Sequence, residues 1–185
     1  MEAIQYVAEI VKELQRSAEQ IAGAEAETLA DLILRSNHVF VAGAGRSGLM
    51  GRAFAMRLMH TGANAYVVGE TITPGIGEGD VLIIGTGSGE TKSLIPMAQK
   101  AKSLGASVVA VTIAPESTIG SLADAVVKLP GSSKDQASGS YKTIQPMASL
   151  FEQTLLIFYD AVILRMMEKQ GQNSGRMYGK HANLE

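Results

Sequence analysis

Apolar and polar positions along the chain follow two different spacings. Residues 3–20 and 24–36 carry an apolar residue at every third or fourth position with charges between, which predicts two amphipathic helices. Short, nearly uninterrupted apolar runs follow, and each of them predicts a buried strand. These runs are 39–42, 65–68, 79–85, 108–113 and 125–129. The pattern therefore predicts helices first and then a sheet of buried strands.

Helical stretches separate the predicted strands. One follows Ser47 and ends at Gly62, the next covers 92–104 and ends at Gly105, and a short one lies near 121–123. Strands that alternate with helices predict a parallel sheet covered on both faces. We therefore expect a three-layer α/β fold with a five-stranded parallel sheet, whose binding sites lie at the carboxyl ends of the strands.

The second half of the chain contains a long polar connection and a long helix. Residues 131–145 exceed the usual length of a connection, which predicts function or mobility there. Pro146 can occupy the first position of a helix that extends to about 168. The tail is rich in Gly and Asn, and we expect a partner surface to order it. No break in composition marks a domain boundary, so one domain is expected, with N-terminal helices (1–36), a βα core (37–130), a loop (131–145), a long helix (146–168) and a tail (169–185).

Composition narrows the class of protein. A length of 185 residues suits one domain, and 46% hydrophobic residues can form a sizeable core. A net charge of −2 with no Lys/Arg run argues against a nucleic-acid partner. Asp160 interrupts the longest apolar helix, so no membrane span is expected, and the amphipathic N-terminus does not resemble a signal peptide. We expect a soluble, cytoplasmic protein.

The content of Cys and His limits the chemistry further. The chain has no cysteine, which excludes disulfides, thiolate metal ligands and a cysteine nucleophile. No group of His or carboxylate residues has the spacing of metal ligands, so neither a metal nor another cofactor is expected. Any catalysis is therefore expected to come from the side chains themselves.

A strand–loop–helix pattern occurs twice, and both copies are rich in glycine. The first loop is Gly43-Ala44-Gly45-Arg46-Ser47-Gly48, and the second is Gly85-Thr86-Gly87-Ser88-Gly89-Glu90-Thr91. Glycines let backbone amides approach a ligand closely, and a helix start offers unpaired N–H groups with a positive dipole end. Two such loops at one sheet edge predict a site for a phosphorylated small molecule.

Three kinds of phosphate-binding site have glycine-rich loops that could explain this pattern. No segment has the Gly-x-x-x-x-Gly-Lys-Ser/Thr spacing of a P-loop. The first loop does have the Gly-x-Gly-x-x-Gly spacing of a dinucleotide site, and Glu70 lies near the expected acidic position. The second loop favours a monophosphate, because Ser88 and Thr91 with the amides of 87–89 supply converging donors. The alternative is that Ser47, Ser88 and Thr91 are ordinary helix N-caps.

Charged residues offer candidates for catalysis and binding. Between Lys142 and Arg165 the chain has only two charges, Glu152 and Asp160, in an otherwise apolar helix. A carboxylate there lies either on a narrow solvated face or in a cleft, and in a cleft Glu152 would be the candidate base. Arg46 and Lys92 are candidates to pair with a phosphate, with a surface charge as the alternative for each. Lys134 and Lys142 could likewise bring charge to a lid, or simply be solvated.

We expect a different role for each of the three histidines. His38 precedes the first strand, at the end of the sheet opposite the loops, and is expected to be structural. His60 lies just before Gly62, where a cation favours a helix C-terminus; a role in the pocket would require a neighbouring subunit. His181 lies in the tail, where disorder is the simplest expectation.

Residues 86–91 resemble the Ser-x-Ser-Gly-x-Thr signature of the sugar isomerase (SIS) domain family. Gly45-Arg46-Ser47 is similar to that family's first loop, and Val111-Thr112 with Ser117 and Ser121–Asp124 is similar to its third. Thr86 stands where serine is usual, which keeps a hydroxyl group. The resemblance covers roughly 25–168.

The resemblance implies a fold, an activity and a set of site residues. It implies a single SIS domain that isomerises a sugar phosphate by enediolate proton transfer, with Glu152 as the base and with His181 as a residue that reaches a site, either its own or that of a neighbouring subunit. The substrate-binding residues implied are Arg46, Ser47, Gly87, Ser88, Gly89, Glu90, Thr91 and Lys92. It also implies a homo-oligomer, either a dimer or a tetramer.

Two further stretches resemble one branch of the family. Residues 70–74 and the ending 180–185 are similar to members that interconvert 3-hexulose 6-phosphate and fructose 6-phosphate in formaldehyde fixation. That resemblance implies a phosphorylated hexulose substrate and a functional partner, 3-hexulose-6-phosphate synthase. The alternatives are an isomerase for a pentose or heptose phosphate and a non-catalytic SIS domain that senses sugar phosphates.

Overall fold

The computed structural model describes residues 2–132 and 141–184. Two helices precede the sheet, as the spacing of apolar residues predicted, and strands and helices then alternate. In chain order the elements are α1 (Ala3–Ala18), α2 (Gly23–Arg35), β1 (Val39–Gly43), α3 (Gly45–Thr61), β2 (Ala65–Val67), β3 (Val81–Gly85), α4 (Ile95–Ser103), β4 (Ser107–Thr112), α5 (Thr118–Leu122), β5 (Ala125–Lys128), α6 (Ser149–Lys169) and α7 (Ser174–Tyr178).

All neighbouring strands of the five-stranded sheet are parallel, in the order β2-β1-β3-β4-β5. The predicted α/β class and parallel sheet are confirmed. In the register, Gly43 pairs with Gly85 and Gly85 with Val111, so β1, β3 and β4 end side by side. The connections that follow these three strands therefore begin next to one another at one edge of the sheet.

Both faces of the sheet are covered, because the strands are apolar at consecutive positions. One core unites α2, α3 and α6 with one face of the sheet, and the other unites α4 and α5 with the opposite face. In the first core the rings of Phe54 and Tyr159 stack at 4.1 Å between centroids, which fixes α3 against α6. α1 packs against α6 from outside these layers.

Two predicted helix starts were wrong. α4 begins at Ile95 and not at residue 92, because a turn in which Leu94 and Ile95 donate to the Thr91 carbonyl comes first. α6 begins at Ser149 and not at Pro146. Met147 lies between them with a φ of 59°, a left-handed conformation through which a right-handed helix cannot run.

Smaller differences concern strand and helix ends. β3 begins at Val81 rather than 79, and α5 covers Thr118–Leu122 rather than 121–123. The tail, expected to need a partner surface for order, contains the short helix α7. Gly62 ends α3 as predicted, with a left-handed φ of 94°. None of the helices in the described ranges is long and apolar enough to cross a membrane.

Candidate active site

The first glycine loop is a tight turn from β1 into α3. A Cβ atom on Gly43 would lie 2.9 Å from Gly48 Cα, and one on Gly48 would lie 2.6 Å from the Gly43 carbonyl oxygen. Both positions therefore need glycine. The turn places Ser47 in the first turn of α3, where backbone N–H groups have no intrahelical acceptor. These N–H groups and the Ser47 hydroxyl are available to an anion.

The second loop is shaped by hydrogen bonds inside it. Thr86 is buried, and its Oγ1 accepts from the Gly89 N–H at 3.2 Å and lies 3.4 Å from Thr91 Oγ1. Ser88 Oγ accepts from the Glu90 N–H at 3.2 Å. The N–H groups of Gly87, Ser88 and Thr91 have no acceptor among the described residues. The loop thus presents three amides and the hydroxyls of Ser88 and Thr91.

The structure separates the donors that are free to bind an anion from those that the fold already uses. The N-cap of α3 is Ala44 and that of α4 is Leu94, so Ser47, Ser88 and Thr91 are not helix N-caps. The Gly89 amide, counted among the phosphate donors, is already paired with Thr86 inside the loop. The other donors remain available.

Glu90 fastens the second loop to α5. Its carboxylate accepts from the Thr118 N–H at 2.7 Å and from Thr118 Oγ1 at 2.8 Å, and these bonds lower the pKa of Glu90. The Ile119 N–H donates to the Gly89 carbonyl at 3.1 Å, and Ser117 Oγ caps α5 by accepting from Gly120. The negative charge of Glu90 is thereby engaged by α5 beside a loop that offers donors to an anion.

Glu152 lies in the first turn of α6 with only 6% of its surface exposed. The neighbouring Phe151 packs against Gly87 of the second loop and against Gly131: a Cβ on Gly87 would lie 3.4 Å from its ring, and one on Gly131 2.8 Å from its Cβ. Glu152 is therefore buried and does not lie on a solvated face, and its neighbour Phe151 contacts the second loop. The helix dipole of α6 favours a negative charge in that first turn.

Arg46 contacts Glu152 directly. Its Nη1 donates to Ser149 Oγ at 2.9 Å and lies 3.0 Å from Glu152 Oε2. Oε2 has no aligned hydrogen bond, so this contact is an ion pair. The structure brings Arg46 to the candidate base, whereas Lys92 is exposed in the turn after the second loop, without a partner among the described residues.

His60 and His181 lie at the far end of α3 from Arg46. Their rings stack at 5.4 Å, and His60 is 4% exposed. Burial, followed by the charges of Arg57 and His181, lowers the pKa of His60, so the expected helix-capping cation is a neutral ring near pH 7. Because α3 rises about 1.5 Å per residue, Arg46 and His60 lie about 20 Å apart along this helix. Within one chain His181 therefore does not meet Glu152.

The remaining candidates lie away from the sheet edge that carries the loops. His38 Nδ1 contacts Asp80 Oδ1 at 2.8 Å, at the opposite end of the sheet, which fits its structural role. Glu70, the acidic residue that a dinucleotide site would need, is paired with Arg52. Lys142 is exposed, and Lys134 lies outside the described residues.

Sequence reasoning missed two residues that build the site. Ser149 binds the guanidinium of Arg46, and its position one turn before Glu152 on the same helix face was a usable signal. Glu13 of α1 accepts from Thr143 Oγ1 at 2.6 Å and from the Ile144 N–H at 2.9 Å, in the segment that leads to α6. No local pattern connects residues so far apart in the chain.

The parallel α/β sheet, with two glycine-rich loops at one edge and a buried carboxylate paired with the first of them, defines the class of protein. The chain belongs to the SIS domain family, whose model matches residues 32–157. It is 63% identical, over 100% of both chains, to the 3-hexulose-6-phosphate isomerase of Bacillus subtilis (strain 168). It is 40% identical to the enzyme of the same name from Mycobacterium gastri, over 94% of this chain and 86% of that one.

Solved structures agree with this assignment. A Methanococcus jannaschii protein, whose crystal structure infers a molecular function of 3-hexulose-6-phosphate isomerase, superimposes with a TM-score of 0.83 at 30% identity. The match covers 98% of this chain and 99% of that one.

Proposed function

We propose that this chain is an isomerase that interconverts 3-hexulose 6-phosphate and fructose 6-phosphate. The observation that carries the proposal is the buried Glu152 carboxylate, paired with Arg46 of the first glycine loop. That loop begins beside the second loop, whose amides at Gly87, Ser88 and Thr91 have no acceptor among the described residues. The choice of substrate follows the relatives named 3-hexulose-6-phosphate isomerase, one of them 63% identical over the full chain.

The donors of the two glycine loops, which we call the cradle, would hold the phosphate of the substrate. Ser47, Ser88 and Thr91 would donate through their hydroxyls, and the amides of Gly87 and Ser88 through their N–H groups. A monophosphate offers three oxygens that accept several donors at once. Glu90 would shape the loop through Thr118 rather than touch the substrate, because a carboxylate would repel the phosphate.

Glu152 would move the proton. Moving the ketone from C3 to C2 requires removal of the proton on C2, formation of an enediolate, and delivery of a proton to C3, while the hydroxyl hydrogen leaves O2 and O3 gains one. One carboxylate can perform both carbon steps if it faces one side of the enediolate. The substrate is expected to be open-chain, because closing O5 onto C3 would form a strained four-membered ring.

The first experiment compares the wild-type protein with Glu152→Gln. Glutamine keeps the shape of the side chain but cannot accept the proton, so turnover of 3-hexulose 6-phosphate should fall about 10²–10⁴-fold while fructose 6-phosphate still binds. In D₂O the wild-type protein should place deuterium at C3 of fructose 6-phosphate. Near-normal turnover by Glu152→Gln would rule out Glu152 as the base.

Substrate controls distinguish the alternatives. Arabinose 5-phosphate and a heptose phosphate, offered to the same preparation, should not be converted. Conversion of either in preference to the hexulose would assign the protein to another phosphosugar. Tight binding of a sugar phosphate without any conversion would identify a sensing domain.

The finer features of this enzyme are part of the same proposal. We expect one SIS domain over 1–185, a cytoplasmic location, and 3-hexulose-6-phosphate synthase as the enzyme that supplies the substrate. We also expect a homo-oligomer, in which His181 could complete a neighbouring subunit's site. Support for assembly comes from apolar side chains that are exposed on α1, such as Val7 and Val11.

A further inference from the structure

Arg46 lies in the first turn of α3, where the helix dipole makes a positive charge unfavourable. Its side chain is half exposed, so packing does not force it into this place. Arg52 lies further along the same helix, where the dipole does not disfavour a positive charge. It is equally exposed and is paired with Glu70. The position of Arg46 therefore requires a specific compensation.

The compensation comes from α6. Ser149 and Glu152 lie one turn apart on that helix and face Arg46, whose Nη1 lies 2.9 Å from Ser149 Oγ and 3.0 Å from Glu152 Oε2. Among the ion pairs of the described residues, this is the one that includes Glu152. A buried carboxylate without a cation would be costly, so Arg46 offsets the burial of the charge on Glu152.

The two oxygens of Glu152 are not equivalent. Oε2 is buried and faces Arg46, whereas Oε1 has no hydrogen-bond partner within residues 2–132 and 141–184 and keeps contact with solvent there. An oxygen next to a guanidinium is a poor proton acceptor, and an oxygen without a partner is a better one. The geometry thus separates one oxygen that is held from one that is free to react.

We propose that Arg46 is a positioning residue for the base: it holds Glu152 through Oε2 so that Oε1 exchanges the proton, and it is not a ligand of the phosphate. This role rests on the proposed isomerase function. It replaces the sequence-based expectation that Arg46 pairs with the phosphate. Ser149 orients the guanidinium and takes no part in binding the substrate.

The kinetic test is Arg46→Ala, with Arg52→Ala as the matched control on the same helix. Misplacement of a catalytic group by about 1 Å costs about 10²-fold, so kcat should fall by about that factor with KM within about threefold of wild type. Added guanidinium ions should restore part of the rate of Arg46→Ala, and Arg46→Lys should retain more activity than Arg46→Ala. Arg52→Ala should keep kcat and KM close to wild type. A raised KM with unchanged kcat would overturn the proposal.

Binding of inorganic phosphate, measured by calorimetry, does not depend on turnover. Arg46→Ala should bind phosphate within about twofold of wild type, because the cradle is intact. A phosphate ligand would instead lose about tenfold or more when its charge is removed. Such a loss would contradict the proposal, whatever the activity.

The pairing itself can be tested by unfolding in urea. Introduced into the otherwise wild-type chain, Arg46→Ala should shift the urea midpoint of unfolding. The same change introduced into the Glu152→Gln variant should cause a smaller shift. Additive shifts would mean that the two side chains do not interact and would overturn the proposal. If the wild-type protein converted no hexulose, the proposed function would fail, but the phosphate titration and this cycle would still decide the role of Arg46.

Discussion

Gly89 shows how strictly one position controls the second loop. Its φ is +65°, and a Cβ atom there would lie 1.8 Å from Ser117 Oγ. The conformation is unfavourable for an L side chain, and the space is already filled. Any other residue must therefore displace either the loop or the start of α5.

We predict that Gly89→Ala weakens phosphate binding at least tenfold. The loop must move away from Ser117, and the amides and hydroxyls that converge on the anion then separate. Calorimetric titration with inorganic phosphate measures the effect. Gly45→Ala is the matched control, because Gly45 has a similar φ of +57° but open space around its Cβ; it should cost about 1 kcal/mol of stability. Equal losses of affinity in both variants would mean that strain, and not the clash, is responsible.

At the scale of elements, α1 is linked to the segment that feeds α6. Glu13 is buried and accepts from Thr143 Oγ1 and the Ile144 N–H, and Gln145 Nε2 donates to it at 3.0 Å. Burial raises the pKa of Glu13, but these bonds together with the charge of Arg16 outweigh burial, so the pKa lies below its ordinary value. The charged form of Glu13 therefore stabilises the folded chain.

This network predicts a specific dependence of stability on pH. A depressed pKa gives stability that is present above the unfolded-state value and is lost as pH falls through the folded-state value. Glu13→Gln should therefore lower the free energy of unfolding at pH 7, and the difference from wild type should shrink as the solution is acidified below the ordinary glutamate range. Urea unfolding at several pH values measures this. Glu9→Gln, an exposed change on the same helix, should show no comparable effect. A difference that stays constant with pH would refute the role of the carboxylate.

Sequence patterns predicted the elements better than the contacts between them. The glycine loops and the isolated Glu152 were visible, because local spacing and the contrast of one charge with an apolar helix mark them. The start of α6 was not, since Pro146 suits a helix start and only the left-handed Met147 prevents it. The partner of Arg46 was also out of reach, because Ser149 is 103 residues away in the chain and no local pattern links the two.

At the scale of the whole molecule, apolar surface remains on the outermost helix. Ile4, Val7 and Val11 recur at helical spacing along α1, with 54–70% of each residue exposed. Its buried positions, Glu13 and Ser17, are polar and lie nearer the other end of the helix. A continuous apolar stripe of this kind is typical of a surface that another protein covers.

We predict that a second copy of the chain covers this stripe. Light scattering after size exclusion should give a mass that is a multiple of one chain, and the double change Val7→Lys with Val11→Lys should reduce it, because two charges would be buried at the contact. Lys12→Glu reverses a charge at an exposed position about 100° around the helix from Val11, outside the stripe, and should leave the mass unchanged. A wild-type protein of single-chain mass would contradict the prediction.

The register that aligns Gly43, Gly85 and Val111 has a thermodynamic consequence. The proposed phosphate donors come from the loops after β1 and β3, which are neighbours only when these two strands are paired in the folded sheet. An anion that binds there recognises the folded chain alone and shifts the folding equilibrium by mass action. At one hundred times its dissociation constant such a ligand would add about 2.7 kcal/mol to the free energy of unfolding. Substrate supply would thus also change the fraction of the protein that is folded.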